Sequence, residues 1–204
     1  MVGGMNRCVF LLAVVGLAAC GGCSLENPKP AGDAQLGTYA ITSKGIFKEC
    51  SLKGFPESLT FEATLSYFDG GGLSFFDGFA TFDGGFDGQV ASFQELRATG
   101  AQLFDGGDCS ACTLTYTQRG SMALLSPSQN GALADTCPKN YLDGGVPAAD
   151  ADAGIALPVF ETDGGFDAVR ACGELAISVT GEGFCDPVCY SCNVRYRMSG
   201  PRSR

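Results

Sequence analysis

Histidine and tryptophan are absent from the 204 residues, and only 17% of the chain is charged. The first absence removes the commonest general base at neutral pH and the commonest metal ligand. Triads in which Ser or Cys hands its proton to His are excluded outright. Lack of tryptophan weakens sugar stacking and a membrane-interface aromatic belt, although 6 tyrosines and 15 phenylalanines partly substitute. Basic residues are also scarce, 13 Lys and Arg against 22 Asp and Glu, for a net charge of -9. Such a chain repels phosphate backbones and anionic membrane surfaces, which makes nucleic acid a poor partner. The acid-free tail with Arg195, Arg197, Arg202 and Arg204 reads as a frayed, solubilising end.

What is present starts with a leader. Behind Arg7, Val9 to Leu17 is apolar and is followed by Ala18, Ala19 and Cys20, the layout of a signal peptide. The run falls far short of the roughly 20 apolar residues that span a bilayer as a helix. Leu17, Ala18, Ala19 and Cys20 resemble the lipobox of bacterial lipoproteins. That resemblance implies a diacylglyceryl group on the Cys20 thiol, cleavage after Ala19, and acylation of the new amino group, with palmitate among the acyl chains. Several chains exceed the two signals that stable anchoring requires, so the expected partner is a membrane held through Cys20. Gly21, rather than an aspartate, follows the cysteine, which by the same resemblance implies the outer membrane over the inner. Residues 1–19 are thus expected as a short signal helix. Residues 20–35, lipidated Cys20 followed by GGCSLENPKPAGDAQ with Cys23 inside it, are expected as a flexible tether.

The body, residues 36–204, reads as one antiparallel all-β domain. Glu57 to Phe68 is its clearest element: Leu59, Phe61, Ala63, Leu65 and Tyr67 alternate with Thr60, Glu62, Thr64 and Ser66. A period of two marks a half-buried strand. Similar patterns predict strands over Leu36 to Phe47, Leu73 to Phe82, Cys112 to Gln118, Met122 to Leu125, Cys172 to Thr180 and Val188 to Met198. Gln89 to Ala98 fits both periods, and its strand-forming neighbours favour a strand. Recurrent short strands separated by turn residues indicate a sandwich or a small barrel.

Asp-Gly-Gly recurs at Asp69, Asp83, Asp105, Asp143 and Asp163, several times behind phenylalanine. Asp-Gly between apolar runs is a hairpin signal, because both residues tolerate positive φ. A calcium reading is weaker: Asp150, Asp152 and Glu161 match positions one, three and twelve of an EF-hand-like loop, but Gly154 and Ile155 break it. No metal or cofactor is expected. Leu142 to Pro158, LDGGVPAADADAGIALP, reads as a low-complexity mobile loop between strands.

Of 11 cysteines, Cys8, Cys20 and Cys23 precede the body, leaving Cys50, Cys109, Cys112, Cys137, Cys172, Cys185, Cys189 and Cys192. In an exported chain an even count favours disulfides, with the connectivity left open. Cys109 with Cys112 and Cys189 with Cys192 form two C-x-x-C motifs, so zinc and thiol redox chemistry are the alternatives. The wide separation of the motifs and the oxidising compartment count against zinc, and a strand directly after Cys112 counts against a redox motif. In the last strand, Val188, Tyr190, Cys192, Val194, Tyr196 and Met198 share one face.

The lipobox, the Gly/Asp-rich β body and scattered cysteines together resemble secreted lipoproteins of the myxobacterial type, a resemblance that brings no activity with it. The expected function is a non-enzymatic binding or structural module displayed at a membrane. Strand edges or loop tips would then contact a protein or glycan ligand. Alternatives are a small-ligand carrier with a barrel pocket and a hydrolase using paired carboxylates.

Overall fold

The computed structural model describes residues 32–49, 55–78, 80–100, 112–139, 147–161, 165–183 and 192–203. Alternation along strands such as β2 and β8 puts an apolar row inward, and the eight strands close on one another as an antiparallel barrel in chain order. The strands are β1 (Ala34–Glu49), β2 (Ser58–Phe68), β3 (Gly72–Phe76), β4 (Thr81–Phe86), β5 (Val90–Gly100), β6 (Cys112–Leu125), β7 (Arg170–Gly183) and β8 (Cys192–Pro201). The all-β expectation holds, and of its two architectures the barrel is the one formed. β1 closes the ring. It pairs with β2 from Ala34 to Lys44 and with β8 from Thr42 to Glu49, with register shifts at Gln35/Gly37 and Gly45/Phe47 that bend it between its neighbours.

Four expectations need correction. Leu73 to Phe82 is two strands, because Asp77 and Gly78 turn the chain: Asp77 Oδ1 accepts the Ala80 N–H at 2.8 Å and Gly78 has φ 92°. Conversely, Cys112 to Gln118 and Met122 to Leu125 are one strand, since Arg119, Gly120 and Ser121 continue the ladders to β5 and β7. Asp69 does start a hairpin turn, as do Asp77 and Asp87, whereas Asp83 lies within β4 opposite Ser74. The described part of the arginine tail is not a frayed end, and Arg204 lies outside the described residues. Arg195 and Arg197 belong to β8, which is paired on both sides, and Arg202 donates to the Phe166 and Ala168 carbonyls.

One further element has no counterpart in the sequence reading. Helix α1 (Pro127–Ala132) follows β6, its start set by Ser126 as N-cap, Pro127 in the first turn and a reciprocal bond between Ser126 and Gln129. The described part of the expected mobile loop, residues 147–158, is tied to this helix. Gln129 Nε2 donates to the Pro147 carbonyl at 2.6 Å, and the Ala156 N–H donates to Ser128 Oγ at 2.9 Å.

The interior is filled. Phe75 and Phe93 stack with centroids 4.1 Å apart, and Phe82 packs against both at 5.5 and 5.7 Å. Gly120, directly opposite Phe93 in the β5–β6 register, leaves the space into which that ring fits. A methyl at Gly120 would overlap the Phe93 ring, and the stack on Phe75 prevents that ring from yielding. Gly120→Ala should therefore destabilise the fold by about 1–3 kcal/mol in urea titration. Phe93→Leu in the same chain should recover part of the loss, since contacting sites are not additive.

Candidate functional site

The two ends of the barrel differ. One end receives the β2–β3 and β4–β5 turns, α1, the segment 147–169 and both described chain termini. Phe166, 1% exposed, plugs it. Its ring packs edge-on against Phe86 at 5.6 Å and against Phe160 at 4.9 Å, while Phe160 also meets Tyr67 at 5.8 Å. Arg202 holds the plug by bonds to the Phe166 and Ala168 carbonyls. Beside it Tyr39 is fully buried and donates its hydroxyl to the Leu36 carbonyl at 3.0 Å. Burial pushes the Tyr39 phenol well above its usual range. The Arg202 charge opposes that shift and Asp167 adds to it. Burial also raises Tyr196, which donates to the Pro56 carbonyl at 2.9 Å.

Toward the other end the wall formed by the described residues is incomplete. The β3 ladder on β2 stops at Thr64, where β3 ends at Phe76, and the β4 ladder on β5 stops at Phe93, beyond which Thr81 to Asp83 of β4 pair with β3 only. Ser58 to Ala63 and the residues of β5 after Phe93 therefore border a notch, and no described strand lies between them. A cavity of about 40 Å³ opens there, lined by residues that include Leu59, Phe61, Phe93, Gln118 and Ile177. That holds a few waters, not a ligand. Among the described residues Asp77 is the one carboxylate lining it, and its Oδ1 caps the β3–β4 turn.

Among the eight cysteine candidates, Cys137 and Cys172 form a disulfide, with Cα atoms 5.5 Å apart. It fastens the chain after α1 to the outer wall, where Ala123, Leu125 and Cys172 pack with Val90, Leu133 and Cys137. Cys192 is disulfide-bonded as well, on the buried face of β8 with Val194, Tyr196 and Met198 as its alternation requires. A four-thiolate zinc site at the C-x-x-C motifs thus loses one ligand. Cys112 opens β6. Cys20, Cys23, Cys50, Cys109, Cys185 and Cys189 lie outside the described residues, as do the lipobox and Asp105, Asp143 and Asp163. Asp150 does not reach toward Glu161 for a cation. Its Oδ1 accepts the Asp152 and Ala153 N–H groups at 3.0 and 3.2 Å, capping a turn closed by Asp150 and Ile155. Among the described residues no group of three potential metal ligands occurs. Neither a protein-family model, nor a curated protein, nor a solved structure matches the chain.

Sequence reasoning missed the notch and the plug. The notch depends on a short hairpin between long strands, for which Asp77-Gly78 was the available signal. For α1 the signal was Ser126-Pro127 followed by Gln129, a capping box with proline in the first turn.

Replacing Cys137 and Cys172 together by alanine should lower stability by about 2–4 kcal/mol in urea titration, since the bridge closes a loop of 35 residues. A pH series gives a second check. Raised folded-state phenol pKa values mean that the folded protein keeps protons the unfolded chain releases. Their stabilisation is complete below about pH 10 and is lost as pH rises beyond it. Tyr39→Phe should flatten this alkaline loss and cost about 1 kcal/mol at neutral pH through the bond to Leu36.

Proposed function

We propose that this protein is a cell-envelope lipoprotein, held to a membrane by lipids on Cys20, that acts as a non-enzymatic binding module. The supporting observation is the notch. Two strand edges, of β2 before Thr64 and of β5 after Phe93, flank an opening above an interior already occupied by side chains. An extended segment of a partner protein suits such a gap, because main-chain hydrogen bonds to an open edge supply affinity while alternate side chains meet the lining. Leu59 and Phe61 give that lining an apolar character.

The two rival readings find less support. Carriage of a small molecule needs a cleft of roughly 300–1,000 Å³. The cavity beside the notch, at about 40 Å³, is an order of magnitude smaller, and the roughly 340 Å³ depression over Ile41, Thr60, Phe61 and Glu62 is open to solvent rather than an enclosed cleft. Hydrolysis by paired carboxylates needs two acids facing each other, and among the described residues the cavity is lined by one acid, Asp77, which is engaged in its own turn. The outer membrane is the proposed location, on the resemblance carried by Cys20 and Gly21.

Cys20→Ser should abolish incorporation of labelled palmitate and move the protein from the membrane to the soluble fraction; unchanged fractionation would overturn the anchor. A photo-crosslinker at exposed Thr60, beside the notch, should capture a protein in intact envelopes, whereas one at exposed Arg195 on the closed wall should not. Capture of a glycan at Thr60 would replace the strand-addition reading, and equal labelling at both positions would defeat the notch as the site.

A further inference from the structure

The N-terminal chain and a strip of exposed apolar side chains meet at the plugged end of the barrel. Asp33 donates its N–H to the Tyr67 carbonyl at 2.8 Å, and its Oδ2 accepts the Asp69 N–H at 2.9 Å, so residues 32–33 are pinned at the β2–β3 turn. The Tyr67 ring lies 5.8 Å from that of Phe160. Phe160 belongs to a segment in which Leu157, Val159 and Phe160 are 38%, 58% and 43% exposed.

This exposure is built into the fold rather than left by a loose loop. The Val159 N–H donates to Asp167 Oδ1 at 2.6 Å, the Asp167 N–H returns to the Val159 carbonyl at 3.1 Å, and the Glu161 N–H reaches the Gly165 carbonyl at 2.7 Å. From beneath, the strip is supported by the ring contact of Phe160 with the Phe166 plug. The other exposed large apolar residues, Ile46 and Phe47, lie toward the far end of β1, where the Arg195 guanidinium sits 5.4 Å from the Phe47 ring centroid.

We propose that the strip of Leu157, Val159 and Phe160 seats on the surface of a zwitterionic bilayer, an inference that rests on the lipid anchor at Cys20. Between Cys20 and Gly32 stand residues 21–31. A chain of that length reaches at most about 40 Å, and as a Gly-rich coil spans roughly 20 Å on average. Anchored there, the barrel presents its plugged end to the membrane, and apolar side chains at that end gain by entering the boundary between headgroups and acyl chains.

Charge selects the kind of surface. Asp33, Asp69, Asp87, Asp150, Asp152 and Glu161 belong to the turns and segments at this end. The arginines nearby are engaged internally, Arg170 with Asn130 Oδ1 at 2.8 Å and Arg202 with the plug carbonyls. No basic cluster among the described residues is left at this end to attract anionic lipid. A zwitterionic surface is the one this chemistry fits. The arrangement also turns the notch at the opposite end away from the membrane.

The absence of tryptophan makes a clean test, because one introduced indole is the sole indole emitter. Full-length acylated protein carrying Val159→Trp, and separately Leu157→Trp, would be placed in phosphatidylcholine vesicles with and without bromine on the acyl chains. Quenching of roughly twofold is expected, since an interfacial side chain sits roughly 5–10 Å into that boundary. Phe47→Trp, toward the other end, should be unaffected. Equal quenching of Phe47→Trp, or none of either strip variant, overturns the inference. A bromine-insensitive blue shift that grows with protein concentration overturns it too, by assigning the strip to a second copy of the chain. Fractionation of Cys20→Ser reports on the anchor separately, so failure of the anchor and failure of the strip give different results.

Discussion

Eight antiparallel strands closed into a ring leave an interior wide enough for side chains and little more. In this protein the Phe75–Phe93 stack takes up the middle of that space, with Phe82 against both rings and Gly120 yielding room opposite Phe93. The ring geometry and the aromatic filling depend on each other. A smaller residue at Phe93 would leave a void, and a larger one at Gly120 would push the wall outward. The interior of the described barrel is thus occupied by its own side chains.

The two ends then take on separate roles. At one end the chain spends its longest inter-strand excursion, from β6 to β7, on closure: α1, the turn capped by Asp150 and the Phe166 plug, fastened by the Cys137–Cys172 disulfide and by Arg202. Toward the other end the β3–β4 hairpin stops early and, among the described residues, leaves β2 before Thr64 and β5 after Phe93 with a ladder on one side, to β1 and to β6. An open edge invites pairing with another chain, and natural proteins usually cover or charge such edges. Keeping one beside an apolar lining is consistent with a surface kept for a partner. The proposed anchor and the apolar strip give the closed end a complementary use.

Most of the local structure was legible in the sequence. The period-two alternation of Glu57 to Phe68 reappears as β2, and the chain turns after it as expected, with positive φ at Gly70 and Gly71 rather than at Asp69. Gln89 to Ala98, which fits both periods, is a strand because β6 pairs along its whole length. Misreadings arose where the same residue types serve two purposes. Asp83-Gly84-Gly85 looks like a turn but runs within β4, where Gly84 sits opposite Phe93 and a side chain would strike the Ser92 carbonyl. Asp77-Gly78 was absorbed into an apolar run although it turns the chain. Both errors concern glycine, whose turn-forming freedom and lack of side chain cannot be distinguished without knowing what lies across from it.

By itself the sequence determined the all-β character, the inward and outward faces of β2 and β8, and the exclusion of histidine-dependent chemistry. Those properties follow from backbone periodicity and residue identity, which are local. The tertiary structure alone decided that the strands close as a barrel rather than stack as a sandwich, that Cys137 joins Cys172 among eight candidates, and that the arginine tail is a paired strand. It also decided that the β3–β4 hairpin leaves a notch and that Phe166 returns to seal the opposite end. Each of these depends on which residues meet across long separations in the chain. Alternation specifies which face a side chain occupies, and only closure of the ring specifies what it meets there.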